Sequence, residues 1–159
     1  MRRLLKFLHT MGAIGLTGSM ACLIVLMSVS PPPSSLAEYA MMRGAMAAIA
    51  KWILFPSLGL TLIAGLLAFA ANRAFHNAGW AWAKLATGIS IFEGGLVSVQ
   101  GPLQAEAERS ARAVAGEVDP ATLAASFGSE QFALCVLLAV ATANVLLGVW
   151  RPRLSRIPE

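Results

Sequence analysis

Charged residues are scarce in this chain of 159 residues. They make up 13% of the sequence, against about 25% in soluble domains, whereas hydrophobic residues make up 57%. Such a composition argues against a water-soluble domain and favours an integral membrane protein. Cysteine is scarce too, because only Cys22 and Cys135 occur, each inside an apolar run and without CxxC or Cys/His spacing. We therefore predict neither a disulfide framework nor a metal site.

The sequence also lacks the signals of nucleic-acid binding. The net charge is +4 and the pI about 9.7, but no basic stripe and no nucleic-acid motif accompanies them. The clustered basic residues flank apolar segments instead, at Arg2, Arg3 and Lys6 and at Arg151, Arg153 and Arg156. They are better explained by membrane topology, and we expect no nucleic-acid partner.

Four apolar stretches are long enough to cross a bilayer, which takes about 20 residues. They run over about 4–29, 44–71, 80–101 and 131–150. Segments in lipid must form helices, because lipid cannot satisfy open backbone groups. We therefore predict an all-α fold, an antiparallel four-helix bundle in the bilayer that forms one domain over 1–159. Pro56 should kink the second helix.

The N-terminus resembles the basic start of a signal peptide. After MRRLLK, however, LIVLMSV follows where a polar mature sequence would begin, so we expect the first span to be retained. With the N-terminus in the cytoplasm, eight Lys and Arg residues lie on that side and four on the other. This asymmetry predicts a multi-pass protein of the bacterial inner membrane with both termini cytoplasmic.

The segment 102–130 then lies outside and should form a helical cap. Helix-forming residues run to Gly116, with Glu108 and Arg112 at i, i+4. Asp119 is placed to cap a short helix that begins at Pro120.

Four ionisable side chains fall within the predicted spans, where such residues are costly and are candidates for function. Lys51 and Glu93 lie at similar depths toward the outer side. They predict a buried ion pair between two helices, with a proton or ion relay as the alternative. His9 and Lys84 lie at similar heights near the cytoplasmic end, where Lys84 could also extend to the interface.

Small residues surround His9 on the first span. They are Gly12, Gly15 and Gly18 together with Ala13, Thr17 and Ala21. This spacing strips side chains from one side of the helix, which permits either close helix packing or a flat ligand. Two-histidine haem ligation is disfavoured because His76 falls in a loop, but His9 alone could serve as one axial ligand.

Several segments resemble a known group of proteins: KFLHTMGAIGLTG, MRGAMAAIAKWILFPSLGLTLIAG, WAWAKL and GPLQAEAERSARAVA. Together they are similar to a family of uncharacterised bacterial four-helix integral membrane proteins. More distantly they resemble the copper-resistance D-type membrane domain and the membrane-bound protoporphyrinogen oxidase of bacterial haem synthesis. The resemblance to the oxidase implies that His9 and Lys84 take part in haem or porphyrin chemistry. The aromatic-rich sequence that follows the oxidase's histidine is replaced here by glycine and small residues.

Three functions follow from these patterns. The first is a non-enzymatic accessory or scaffold subunit that packs through its small-residue faces against a membrane-protein partner or a second copy. The second is a haem- or porphyrin-binding redox protein in which His9 is a ligand or acid/base and Lys84 meets a propionate. The third is a small transporter with Lys51 and Glu93 on its pathway. Whether the protein is an enzyme is left open by the sequence.

Overall fold

A computed structural model describes residues 2–123 and 127–150, and in these residues the fold is helical, without strands. Three of the helices are long and apolar enough to cross a membrane: Arg3–Ser28, Leu36–Ala70 and Gly128–Trp150. The predicted crossing at 80–101 is not among them. That stretch carries Lys84, Glu93 and several glycines, and these lower its hydropathy.

The chain forms seven α-helices within the described ranges. They are α1 (Arg2–Ser28), α2 (Leu36–Ile49), α3 (Phe55–Ala70), α4 (Arg73–His76), α5 (Gly79–Gly95), α6 (Gly101–Val114) and α7 (Gly128–Trp150). Helices α2 and α3 join into one rod, Leu36–Ala70, and α5 and α6 join into another, 79–114. These two rods and the helices α1 and α7 pack together as a bundle. Helix α1 lies against α3 and α7, α2 against α6, and α5 against α7.

The first rod passes Pro56 through a π-helical turn, Ala50–Leu54, that joins α2 to α3. Proline has no N–H to donate to the carbonyl four residues back, here Trp52, and its ring crowds that carbonyl. In the wider π turn the Phe55 N–H bonds the carbonyl of Ala50. The predicted disturbance at Pro56 therefore takes the form of a local widening, and helix resumes on both sides.

The second rod repeats this arrangement at Pro102. A π-helical turn, Leu96–Gln100, precedes it, and the Gly101 N–H bonds the carbonyl of Leu96. The helix then continues to Val114, so the membrane-length stretch predicted to end near residue 101 is part of a longer rod.

The segment predicted as an extramembrane cap is partly a continuation of this rod. Helix α6 ends at Val114, close to Gly116, where the sequence predicted its end. Gly116 adopts a φ of 80°, a conformation that favours glycine. Asp119 accepts a hydrogen bond from the Ala121 N–H and caps a 3-10 turn, also as predicted. Arg112, however, pairs with Glu117 at 3.1 Å rather than with Glu108.

Close approach of α1 and α3 depends on two of the predicted glycines. A Cβ added to Gly12 would lie 2.9 Å from the Thr61 amide nitrogen and 3.1 Å from the Ser57 carbonyl oxygen, so only hydrogen fits there. A Cβ at Gly15 would overlap the Ser57 hydroxyl. Gly18, by contrast, faces open space.

The other small residues on this face do less for packing between helices. The Thr17 hydroxyl donates to the Ala13 carbonyl within α1, at 2.8 Å. Ala13 and Thr17 are half-buried and Ala21 is exposed. The helix contact is therefore concentrated on Gly12 and Gly15.

A polar network that the sequence did not predict joins the helices α2, α6 and α7. Arg43, on α2, has no exposed surface. Its Nε donates to the Tyr39 hydroxyl at 2.9 Å, and that hydroxyl donates to Glu106 of α6 at 2.9 Å. Arg43 Nη1 lies 3.3 Å from Glu130 of α7, and the guanidinium stacks 3.8 Å from the Phe127 ring centroid. One arginine thus connects three helices.

The C-terminal basic residues that entered the orientation prediction, Arg151, Arg153 and Arg156, lie outside the described residues.

Replacing Gly12 by alanine should destabilise the bundle. We expect a loss of about 1–3 kcal/mol in the free energy of unfolding in detergent, because the added methyl group must push the α1 and α3 backbones apart. Gly18→Ala is the matched control. It should be neutral or stabilising by up to about 1 kcal/mol, since alanine is the better helix former. Equal effects of the two substitutions would contradict the assigned contact.

Replacing Arg43 by leucine should cost about 3–5 kcal/mol, because the Glu130 carboxylate would stay buried without its ion-pair partner and the Tyr39 hydroxyl would lose the Arg43 donor. Arg112→Leu breaks an ion pair that is exposed, so it should cost no more than about 1 kcal/mol. Chemical denaturation of both variants in the same detergent measures the difference. A small effect of Arg43→Leu would show that the network does not hold the helices.

Candidate functional site

A cavity of about 420 Å³ lies between α1, α3, α5 and α7, and both His9 and Lys84 line it. Its walls are mainly leucines and small residues, including Gly65, Gly88 and Gly148. Small-molecule and cofactor pockets usually measure about 300–1,000 Å³ and are largely apolar with few polar groups. The polar residues lining this cavity are Lys6, His9, Thr17, Thr61, Asn72, Lys84 and Asn144.

His9 enters the cavity from α1 and is held by α3. Its Nδ1 lies 2.8 Å from the carbonyl oxygen of Thr61. A carbonyl only accepts, so Nδ1 carries the proton and the Nε2 of the neutral ring keeps its lone pair. The ring rests on Gly65, where a Cβ would come within 3.3 Å of Cε1 and Nδ1. The orientation of the imidazole is therefore fixed by a hydrogen bond on one side and a missing side chain on the other.

Lys84 enters the same cavity from α5 and is held by α7. Its Nζ donates to the Asn144 carbonyl at 2.9 Å, while the Asn144 Oδ1 accepts from the Thr87 hydroxyl at 2.9 Å. A Cβ at Gly148 would lie 2.7 Å from Nζ, so the glycine makes room for the amine. Within the described residues Nζ makes one hydrogen bond, which leaves two of its three N–H donors for a ligand.

The charge of the cavity has one sign. Lys6 and Lys84 line it, and no aspartate or glutamate does so among residues 2–123 and 127–150. An ammonium group in an apolar cavity without a carboxylate is poorly compensated. The arrangement suits a ligand that is apolar over most of its surface and carries at least one acidic group.

Aromatic rings form part of the cavity lining. Phe69, Phe75 and Trp80 line it, and the Phe75 and Trp80 rings meet edge to face with centroids 5.4 Å apart. His76 packs against Phe69 with centroids 5.1 Å apart but does not line the cavity. The two histidines therefore have different surroundings, and only His9 can face a bound molecule.

Lys51 and Glu93 are not brought together within the chain. Both side chains are exposed, and no ion pair joins them in the part of the chain that the structure describes. Lys51 lies 5.4 Å from the centroid of the Trp52 ring beside it. The structure thus holds no buried Lys51–Glu93 pair, because each residue faces away from the bundle's interior.

Sequence reasoning missed Thr61 and Asn144, the residues that hold His9 and Lys84. Asn144 was detectable, since an asparagine in a membrane-length apolar helix normally needs a hydrogen-bond partner. Thr61 acts through its backbone carbonyl, for which no sequence signal exists. Arg43, one of the four basic residues counted on the outer side, is buried, and its burial follows only from the packing of three helices.

Comparison with known proteins identifies no similar protein. No family model matches the chain, and neither a curated protein nor a solved structure is significantly similar to it. The resemblance to bacterial haem-pathway and copper-resistance membrane proteins stays a prediction from the sequence.

Proposed function

We propose that this protein is a multi-pass inner-membrane protein that binds haem or a related porphyrin in the cavity between His9 and Lys84. The observation that carries the proposal is the presence of the His9 imidazole and the Lys84 amine in one largely apolar cavity. The resemblance to the protoporphyrinogen oxidase points to the same two residues.

Membrane insertion is supported by the surface of the helices. Large apolar side chains are exposed along them, including Phe7, Ile14, Val25, Phe132 and Val149. A soluble protein rarely exposes so much apolar area, whereas lipid solvates it. We propose four crossings in an antiparallel bundle, with 79–114 as the third and both termini in the cytoplasm.

The residues of the cavity fit a porphyrin by their chemistry. The ring system is apolar and matches the leucine and aromatic walls, and its carboxylates match Lys84. His9 Nε2 would hold the iron of a bound haem, and the Nδ1 hydrogen bond to the Thr61 carbonyl would increase its basicity as a ligand. Bound haem would supply one-electron redox chemistry. His9 orients the ligand, Lys84 neutralises an acidic group, and the apolar walls exclude water.

The scaffold alternative receives less support. Gly12 and Gly15 are used within the chain, against α3, and are not available to a partner. The transport alternative depends on Lys51 and Glu93, which face outward and do not line the cavity that holds His9 and Lys84.

His9→Ala should remove haem binding. The protein purified in detergent, as isolated or after titration with haem, should show a Soret band for wild type, and its intensity should fall at least about tenfold in the variant. His76→Ala is the matched control and should leave the band unchanged, because His76 does not line the cavity. A wild-type protein that is colourless and takes up no added haem would end the proposal.

Lys84 should distinguish ligands by their acidic groups. Wild type should bind protoporphyrin more tightly than its dimethyl ester by about tenfold or more, because a charged hydrogen bond contributes about 1.5–3 kcal/mol. Lys84→Met should remove this preference, whereas Lys51→Met, outside the cavity, should keep it. Quenching of tryptophan fluorescence during titration measures both affinities. If the ester binds wild type equally well, Lys84 does not recognise the carboxylate.

A further inference from the structure

We propose that two copies of this protein associate in the membrane through the face that carries Lys51 and Glu93, with Lys51 of each copy paired to the partner's Glu93. The inference rests on the membrane insertion proposed above, but it does not depend on ligand binding.

The first step is the position of these charges along the bundle. Phe55 and Phe92 lie in contact, with ring centroids 6.4 Å apart, and this fixes the register of the rods Leu36–Ala70 and 79–114. Glu93 is adjacent to Phe92, and Lys51 is four residues from Phe55. The two rods run in opposite directions, so at 1.5 Å per residue the two charges are about 4–5 Å apart along the bundle.

The second step is the depth of Glu93. It lies 14 residues after the start of α5 at Gly79, or about 21 Å along the rod. In a hydrocarbon core of about 30 Å this places it well inside, and a glutamate side chain is too short to reach the interface. Ionisable groups at such depth almost always face protein or water rather than lipid. In the single chain Glu93 is exposed, so in the proposed bilayer it would face lipid unless a partner covers it.

The third step identifies that partner. Lys51 and Glu93 are both exposed, on the two rods that Phe55 and Phe92 join and at nearly the same level, and neither has an ion-pair partner among the described residues. A two-fold axis brings one face against itself, so that a residue pair is formed twice. Two Lys51–Glu93 pairs then compensate all four charges, which no partner of a single charge sign achieves.

The surroundings of these charges suit a protein contact. Trp52 and Val97 are exposed for 71% and 65% of their surface, and Leu96 is exposed between Glu93 and Val97. Large aromatic side chains are enriched in interface cores. The proposed contact would therefore combine two desolvated ion pairs with an apolar surround.

The experiment measures mass in lipid nanodiscs or mild detergent by light scattering. Wild type should be a dimer, and Glu93→Gln should weaken association at least about tenfold. Lys51→Glu and Glu93→Lys should each give monomers, and the double variant should recover the dimer, because reversing both charges restores complementarity. Glu108→Lys, an exposed change on α6 away from this face, should have no effect.

Wild-type monomers at tens of micromolar, or a dimer indifferent to the single reversals, would overturn the proposal. Where a reversal variant does not fold, as judged by circular dichroism, Glu93→Gln and Lys51→Met decide the result. Extraction of the cells with alkaline carbonate separates this outcome from failure of the membrane proposal. A protein released by carbonate contradicts insertion itself, whereas a pelleted monomer contradicts only the dimer.

Discussion

The contact between α1 and α3 is the constraint on which the candidate site depends. At Gly12 the backbones come so close that no Cβ fits between them. The same approach lets His9, one turn earlier on α1, reach the Thr61 carbonyl on α3. Wider separation of the helices would break that hydrogen bond and release the imidazole. Helix packing and site geometry are therefore coupled. A substitution at Gly12 would change the position of His9 although it makes no direct contact with the imidazole.

The two prolines show how the long rods remain helical. Pro56 and Pro102 each follow a π-helical turn whose last N–H bonds a carbonyl five residues back. A π turn contains one extra residue, which widens the helix next to the proline. The helix can therefore continue although proline has no N–H to donate. The two π turns also contact each other. The widened segments thus meet side by side, with Ala50, Leu54 and Val99 buried and with Trp52 and Val97 exposed.

The helical class and the membrane-length helices were readable from the sequence, because scarcity of charge and long apolar runs act over whole segments. The placement of His9 and Lys84 at similar heights was also readable, since it needs only the rise per residue, and both line one cavity. Which way a side chain faces was not readable. Lys51 and Glu93 were expected inside and lie outside, because the rotation of a helix about its axis depends on packing that no single helix specifies. Arg43 shows the converse, since a charge just before the predicted second span is buried by residues of α6 and α7, 60 and more residues away in sequence.

The hydrogen bond from His9 to Thr61 also limits the direction from which the imidazole can be approached. A backbone carbonyl only accepts, so Nδ1 is occupied by its bond to α3. A group that binds this ring must therefore do so at Nε2. The backbone of one helix thus selects which edge of a side chain on another helix is open to a visitor.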